Sequence, residues 1–187
     1  MTSTKTIEQM QKDHIQYGIL QELSDYRVHV CPKVRKVYWY KTSDMLELLN
    51  KADTPYKLKG VGKPPYTATG YPIPITDIPG LRTYSQLPEK WWDKQDFQMT
   101  DSTSDKGAKA EWIVKGCILK GFVPVFEYKC VMVTDKTQQL AGIDIQAGCK
   151  MNIQVKCDFS GGRNDDTKVG TGNLFVQMTE TNKQHQH

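Results

Sequence analysis

A chain of 187 residues is long enough for one domain, or for a domain with an appendage, and 38% hydrophobic with 25% charged residues is the balance of a globular protein. No window of about 18 apolar residues exists, which excludes a transmembrane helix, and the start MTSTKTIEQMQKDH lacks the apolar stretch of a signal peptide, so a cytoplasmic protein is expected, with no membrane partner. The five cysteines are odd in number and form no CxxC pair, against a disulfide framework or zinc knuckle, and the net charge of +4 permits nucleic-acid binding without requiring it.

Residues 5–23 carry apolar side chains at helical spacing and predict a helix. In RVHVCPKVRKVYWYK, β-branched and aromatic residues alternate with basic ones, which predicts a strand or hairpin. TSDMLELLNKAD reads as a short helix with Thr42 or Ser43 as its cap. Residues 54–90 hold most of the prolines and many glycines, which regular helix does not tolerate. An extended wrapping segment or a long functional loop is expected there, with WWDKQDF anchoring it to the core.

From Ser102 the pattern becomes orderly. SDKGAKAEWIVKGCILKGF predicts an amphipathic helix with Ala108, Trp112, Ile113, Gly116, Cys117 and Lys120 down one side and Gly121 as its stop. VPVFEYKCVMV predicts a strand, TDKTQQLAG an excursion, IDIQ a short strand, AGCK a turn and MNIQVKCDF a further strand. SGGRNDDTKVGT reads as a glycine-rich polar loop, GNLFVQMTE as the last strand, and TNKQHQH as a frayed tail.

The succession of a helix with an inward Glu, a strand, a GID hairpin and a strand bearing an x-Lys motif resembles the PD-(D/E)XK nucleases. The residues that carry the likeness are KGAKAEWIVKGCILKGFVPV, GIDIQ, IQVKCDF and TGNLFVQM, with nine residues between Asp144 and Gln154. It covers roughly 75 residues and leaves the first 100 or so unmatched. Ile143-Asp144 stands where the family name has Pro-Asp, and Gln154 stands where it has an acid, as in the QxK variants of the superfamily.

The resemblance implies an α/β fold: a restriction-endonuclease-like, resolvase-like core with a mixed central sheet flanked by helices, over residues 101–187. An N-terminal α+β extension, residues 1–100, would serve recognition or dimerisation. It implies a Mg²⁺- or Mn²⁺-dependent endonuclease acting on DNA, with RNA left open as substrate and a homodimer as one arrangement. The small size suits a phage or mobile-element enzyme. The catalytic set would be Asp144, Gln154, Lys156 and Glu111. Asp144, Gln154, Glu111 and the Val155 backbone carbonyl would hold the metal.

Those residue types suit the chemistry. Phosphodiester hydrolysis needs an attacking water and a leaving oxyanion stabilised in line, which hard cations on oxygen ligands provide. Strand alternation puts Gln154 and Lys156 on one face and Val155 on the other. Taken singly, Asp144 reads as a turn carboxylate, Lys156 as a solvent-facing strand residue and Glu111 as a partner of Lys115 at i, i+4. The functional reading rests on their joint occurrence. The alternative is a non-catalytic nucleic-acid-binding protein with a degenerate nuclease core.

Arg163, Lys168 and Asn173 in and after the glycine-rich loop, with Lys33, Arg35 and Lys36 among the aromatics of the first hairpin, are candidate nucleic-acid contacts. For the hairpin, a strand with one apolar face (Val34, Val37, Trp39) and one solvated basic face is the favoured reading. His14 and His29 lack metal-ligand spacing and read as structural. Trp91 and Trp92 read as packing residues.

Overall fold

The computed structural model describes residues 24–49, 51, 53–61, 68–122, 130–132, 139, 142–148 and 151–177. The helix expected over 5–23 with His14, most of the expected strand and excursion over 123–141, and the tail after 177 lie outside the described residues.

The fold is mixed α/β. Strands β1 (Tyr26–Cys31) and β2 (Lys36–Lys41) form the expected antiparallel hairpin. Helix α1 (Thr42–Leu49), β3 (Lys59–Val61), β4 (Ala68–Pro74) and β5 (Arg82–Tyr84) follow. Then come α2 (Glu89–Gln95), α3 (Thr103–Leu119), β6 (Cys130–Met132), β7 (Ile145–Ala147), β8 (Met151–Cys157) and β9 (Asn173–Gln177).

Among the described residues six strands make the central sheet in the order β5-β2-β1-β8-β7-β6, and β3-β4-β9 make a second, smaller sheet. Within the central sheet β1 and β8 run parallel and the other pairs antiparallel. The sheet crosses the boundary expected at residue 100, since β1, β2 and β5 lie before it and β6, β7 and β8 after it.

Each face of the central sheet has its own core. On one face Val28, Val30, Ile145, Ile153 and Val155 pack against α3 and Trp92. On the other, Tyr38 and Tyr40 pack against Met45 and Leu49 of α1 and against Tyr71, Ile73, Leu174 and Val176 of the second sheet. Burying each such side chain stabilises by about 1.5–3 kcal/mol relative to leaving it exposed. The solvated basic face expected for β2 is therefore not found: Val37 and Trp39 fill the first core, Tyr38 and Tyr40 the second.

Helix α3 is as long as expected, but its buried stripe is Ala110, Ile113, Val114, Cys117 and Ile118. Ala108 and Lys120 are exposed, because the sheet contacts a stripe rotated from the one expected. Ser102 caps its start by accepting the Asp105 N–H at 3.1 Å. At its end Gly121 adopts φ 70°, and the Phe122 N–H reaches the Cys117 carbonyl at 2.8 Å. That is the left-handed stop glycine permits.

The proline-rich segment wraps as expected, but as sheet. The Ile75 N–H donates to the Gly172 carbonyl at 3.0 Å, continuing the β4–β9 ladder. Alternation then turns the nitrogens of Pro72 and Pro74 away from β9, where no donor is needed.

Candidate active site

Asp144 immediately precedes β7, and its N–H donates to the Ile153 carbonyl at 2.9 Å. Ile145 is the last residue of β7 paired with β8, facing Ile153, and Asp144 bonds the same Ile153, so the regular register ends there. Gln154 and Lys156 alternate with the core residues Ile153 and Val155 and lie on the other face of β8. Asp144 Oδ2 accepts the Val155 N–H at 2.8 Å, which ties the carboxylate to β8. A strand residue's N–H and C=O leave on the same edge, so the Val155 carbonyl also leaves toward Asp144.

Glu111 approaches from α3. It is partly buried, and its carboxyl titrates at about 7, raised first by burial and then by the Asp144 charge. Two carboxylates from different elements thus feel each other, but α3 packs on the face of β8 that carries Ile153 and Val155, so Glu111 comes from the side of the sheet opposite the Gln154 and Lys156 side chains.

Gln154 is 4% exposed, and its Oε1 has no hydrogen-bond partner. A buried amide oxygen without a donor costs about 1–3 kcal/mol. A hard cation would satisfy it, since an amide oxygen is a ligand of the type Mg²⁺ and Mn²⁺ accept. Among the described residues no three His, Cys, Asp or Glu side chains group as a metal cluster. A cation here would therefore depend on Gln154 and the Val155 carbonyl as well as on Asp144 and Glu111.

The same sheet face holds residues that sequence reasoning did not place in the site. Arg27 pairs with Gln154 and His29 with Lys156 across β1 and β8. Arg27 is buried and donates to the Gln177 carbonyl at 3.3 Å, joining the two sheets. His29 is fully buried against Tyr40 and Asp158. The available signal was the RVHV alternation, which puts Arg27 and His29 on one side of a strand. Reading that side as interior requires knowing that a second sheet covers it.

Three of the candidate nucleic-acid contacts, Arg35, Lys36 and Arg163, are drawn into the protein's own bonding. Arg35 pairs with Glu89 and, at 3.1 Å, with Asp93. Lys36 Nζ donates to the Arg163 carbonyl at 2.7 Å, and the Arg163 guanidinium donates to the Gly170 carbonyl at 3.3 Å. Lys33, Arg35 and Lys36 share a groove with Asp165 and Asp166, so the field there is mixed in sign. Lys168 is exposed at φ 59° on the loop. Asn173 starts β9, its carbonyl accepting the Gly162 N–H at 2.9 Å, a turn-and-strand role. No described helix is long and apolar enough to cross a membrane. Comparison with family models, with curated proteins and with solved structures found no match.

Proposed function

We propose that this chain is a metal-dependent endonuclease that hydrolyses DNA phosphodiester bonds, with a restriction-endonuclease-like core built on α3 and β6–β8. The observation that carries the reading is the orphaned Oε1 of buried Gln154, on the same face as Lys156 and next along β8 to Val155, whose N–H binds the Asp144 carboxylate. Asp144, the Gln154 amide oxygen, the Val155 carbonyl and ionised Glu111 would hold one Mg²⁺ or Mn²⁺. When bound, the ion screens phosphate charge and makes the attacking water a better nucleophile.

The chain's own residues do the rest. The Val155 N–H fixes the plane of the Asp144 carboxylate. Lys156 brings an ammonium to the same face, suited to bond a phosphate oxygen or orient the water. Gln154 orients an oxygen without adding charge, so metal binding is weaker than an acid there would give.

The test is cleavage of supercoiled and linear DNA, and of RNA, with Mg²⁺, Mn²⁺ or EDTA, beside Asp144→Ala and Lys156→Ala. Cutting that needs metal and is lost in both variants supports the reading. DNA binding without cutting under any metal would favour the degenerate-core binder, to which the neutral Gln154 is also suited. Sedimentation of the active protein decides whether two copies act together on two strands.

A further inference from the structure

Where the turn of the β1–β2 hairpin meets the end of α2, a cavity of about 280 Å³ opens that the proposed hydrolysis does not use. Its walls are rings: Pro32 from the turn, Trp92 and Phe97 from α2 and its end, and Phe159 from beyond β8. Trp92 is buried, and its ring centroid lies 6.1 Å from that of Phe97 at 47°, so the two form a corner. The Asp158 N–H donates to the Val30 carbonyl at 2.9 Å and the Lys33 N–H to the Phe159 carbonyl at 3.1 Å, which prolongs the β1–β8 pairing. Alternation then puts Phe159 on the same face as Val155 and Cys157, the face α3 covers, and Lys106 of α3 has its ammonium 5.7 Å from the Phe159 ring centre.

The polar lining carries both signs. Lys33 and Arg35 bring cations, and Asp93 and Asp96 bring carboxylates. Arg35 and Asp93 pair with each other at 3.1 Å, which leaves Lys33 and Asp96. Lys33 is exposed, and its ammonium bonds none of the described residues. Asp96 is fixed by its backbone, with its N–H on the Trp92 carbonyl at 2.9 Å and its carbonyl accepting Lys109 Nζ at 3.0 Å. Its Oδ1 accepts Gln98 Nε2 at 2.8 Å, and Oδ2 keeps its capacity to accept.

This lining rejects most ligands. A free anion meets Asp96, and a free cation meets Lys33. A wholly apolar ligand would take water from both charges and replace it with nothing. A flat heterocycle with apolar faces and a mixed donor and acceptor edge suits the whole set. Drug-sized ligands occupy about 300–1,000 Å³, so this cavity takes one base rather than a whole nucleotide. Guanine matches best: N1–H and N2–H₂ are adjacent donors for a carboxylate, which only accepts, and O6 and N7 are acceptors for an ammonium. Base pairing in a duplex already consumes the N1–H and N2–H₂ edge. We propose that the cavity binds an unpaired guanine base, stacked on the Phe97 and Phe159 rings, with its donor edge on Asp96 and its acceptor edge on Lys33. The site goes beyond the endonuclease reading, since binding there needs neither metal nor cleavage.

The experiment measures binding in EDTA. Short labelled oligothymidylates with one central guanine, adenine or cytosine are titrated by fluorescence anisotropy, single-stranded and as duplexes, and GMP is titrated by calorimetry. The guanine strand is expected to bind about tenfold to a hundredfold tighter than the adenine strand, with no such preference among duplexes. Phe159→Leu should weaken guanine binding about tenfold by removing a stacking ring, and Lys33→Ala should weaken it as well. In Asp96→Asn the Gln98 amide still holds the side-chain oxygen, so the new NH₂ faces the base. Guanine should then bind more weakly and adenine, with its N1 acceptor, more tightly, an exchange of preference that a damaged fold does not produce. Lys33 and Asp96 are both exposed, so these two variants should melt with the wild type. GMP binding as tight as the guanine strand identifies a free nucleotide as the source, and a strand that binds far tighter than GMP identifies an unpaired strand; both outcomes support the guanine site. Equal binding of the three strands, no binding of strand or GMP, or a guanine preference that survives Asp96→Asn would overturn it.

Discussion

Asp144 Oδ2 accepts the backbone N–H of Val155 at 2.8 Å, so the carboxylate is tied to the residue between Gln154 and Lys156. This bond links β8 to the start of β7 beyond their paired residues. It also makes Asp144 part of the strand's hydrogen bonding, whatever else it does.

The two roles separate on substitution. Asp144→Asn keeps an oxygen for the Val155 amide and removes only the charge. It should leave the melting temperature within a few degrees of wild type and lower Mg²⁺-dependent cleavage by at least about 100-fold, as lost charge stabilisation does elsewhere. Asp144→Ala should lose the same activity and additionally unsatisfy the Val155 donor, at about 1–3 kcal/mol. Full cleavage by Asp144→Asn would remove the carboxylate from the mechanism.

Gln154→Glu tests the missing charge. At 4% exposure the new carboxylate would sit beside Arg27 and one residue from Val155, whose N–H binds Asp144. In EDTA the two acids repel, so the variant should melt below wild type. With Mg²⁺ the order should reverse, and half-saturation for cleavage should fall by at least about tenfold, since another anionic ligand faces the ion. An unchanged Mg²⁺ dependence would mean that residue 154 is not a ligand.

The legible part of this site was its local part. Alternation on β8 put Gln154 and Lys156 on one face and Val155 in the core, and the structure has them so. The β1–β2 hairpin, α3 with its Gly121 stop and the packing role of Trp92 were also legible from period and turn chemistry. What was not legible depends on pairing between distant segments. The parallel union of β1 with β8 brings Arg27 and His29 to the site, and nothing in either segment alone specifies that partner. The second sheet was hidden for a related reason: the prolines of β4 read as loop unless β9 is known to bond only its other residues.

Gly70 probes that second sheet. A Cβ there would fall 2.5 Å from the Val176 carbonyl oxygen and 2.8 Å from the Gln177 Cα, both backbone atoms that cannot swing aside. Gly70→Ala should therefore push β4 from β9 and destabilise by about 1–3 kcal/mol, read as a lower denaturant midpoint. The same shift disturbs the Gln177 carbonyl that Arg27 grips, so cleavage should fall with stability. A variant as stable as wild type would mean that β4 and β9 do not approach this closely.

Glu111 sets the expected pH dependence. Its carboxyl titrates at about 7 in the fold against an ordinary 4.5, first because it is partly buried and then because Asp144 is near. The folded state therefore binds more protons than the unfolded one between these values. Stability from this group is complete below about 4.5 and is lost as pH rises through about 7. A metal ion inverts the preference, because the ligand must be ionised and binding expels the proton. Mg²⁺ affinity and cleavage should then climb as pH rises toward and through 7 and level off above it. Glu111→Gln cannot titrate: its apo protein should lose the downward stability slope over this window, and its residual cleavage should lose the matching upward limb. Melting curves in EDTA and cleavage rates at fixed Mg²⁺, both from pH 5 to 9, read the two effects separately. If the wild-type slopes persist unchanged in Glu111→Gln, the group that titrates near neutrality is another one, and Glu111 does not face the metal.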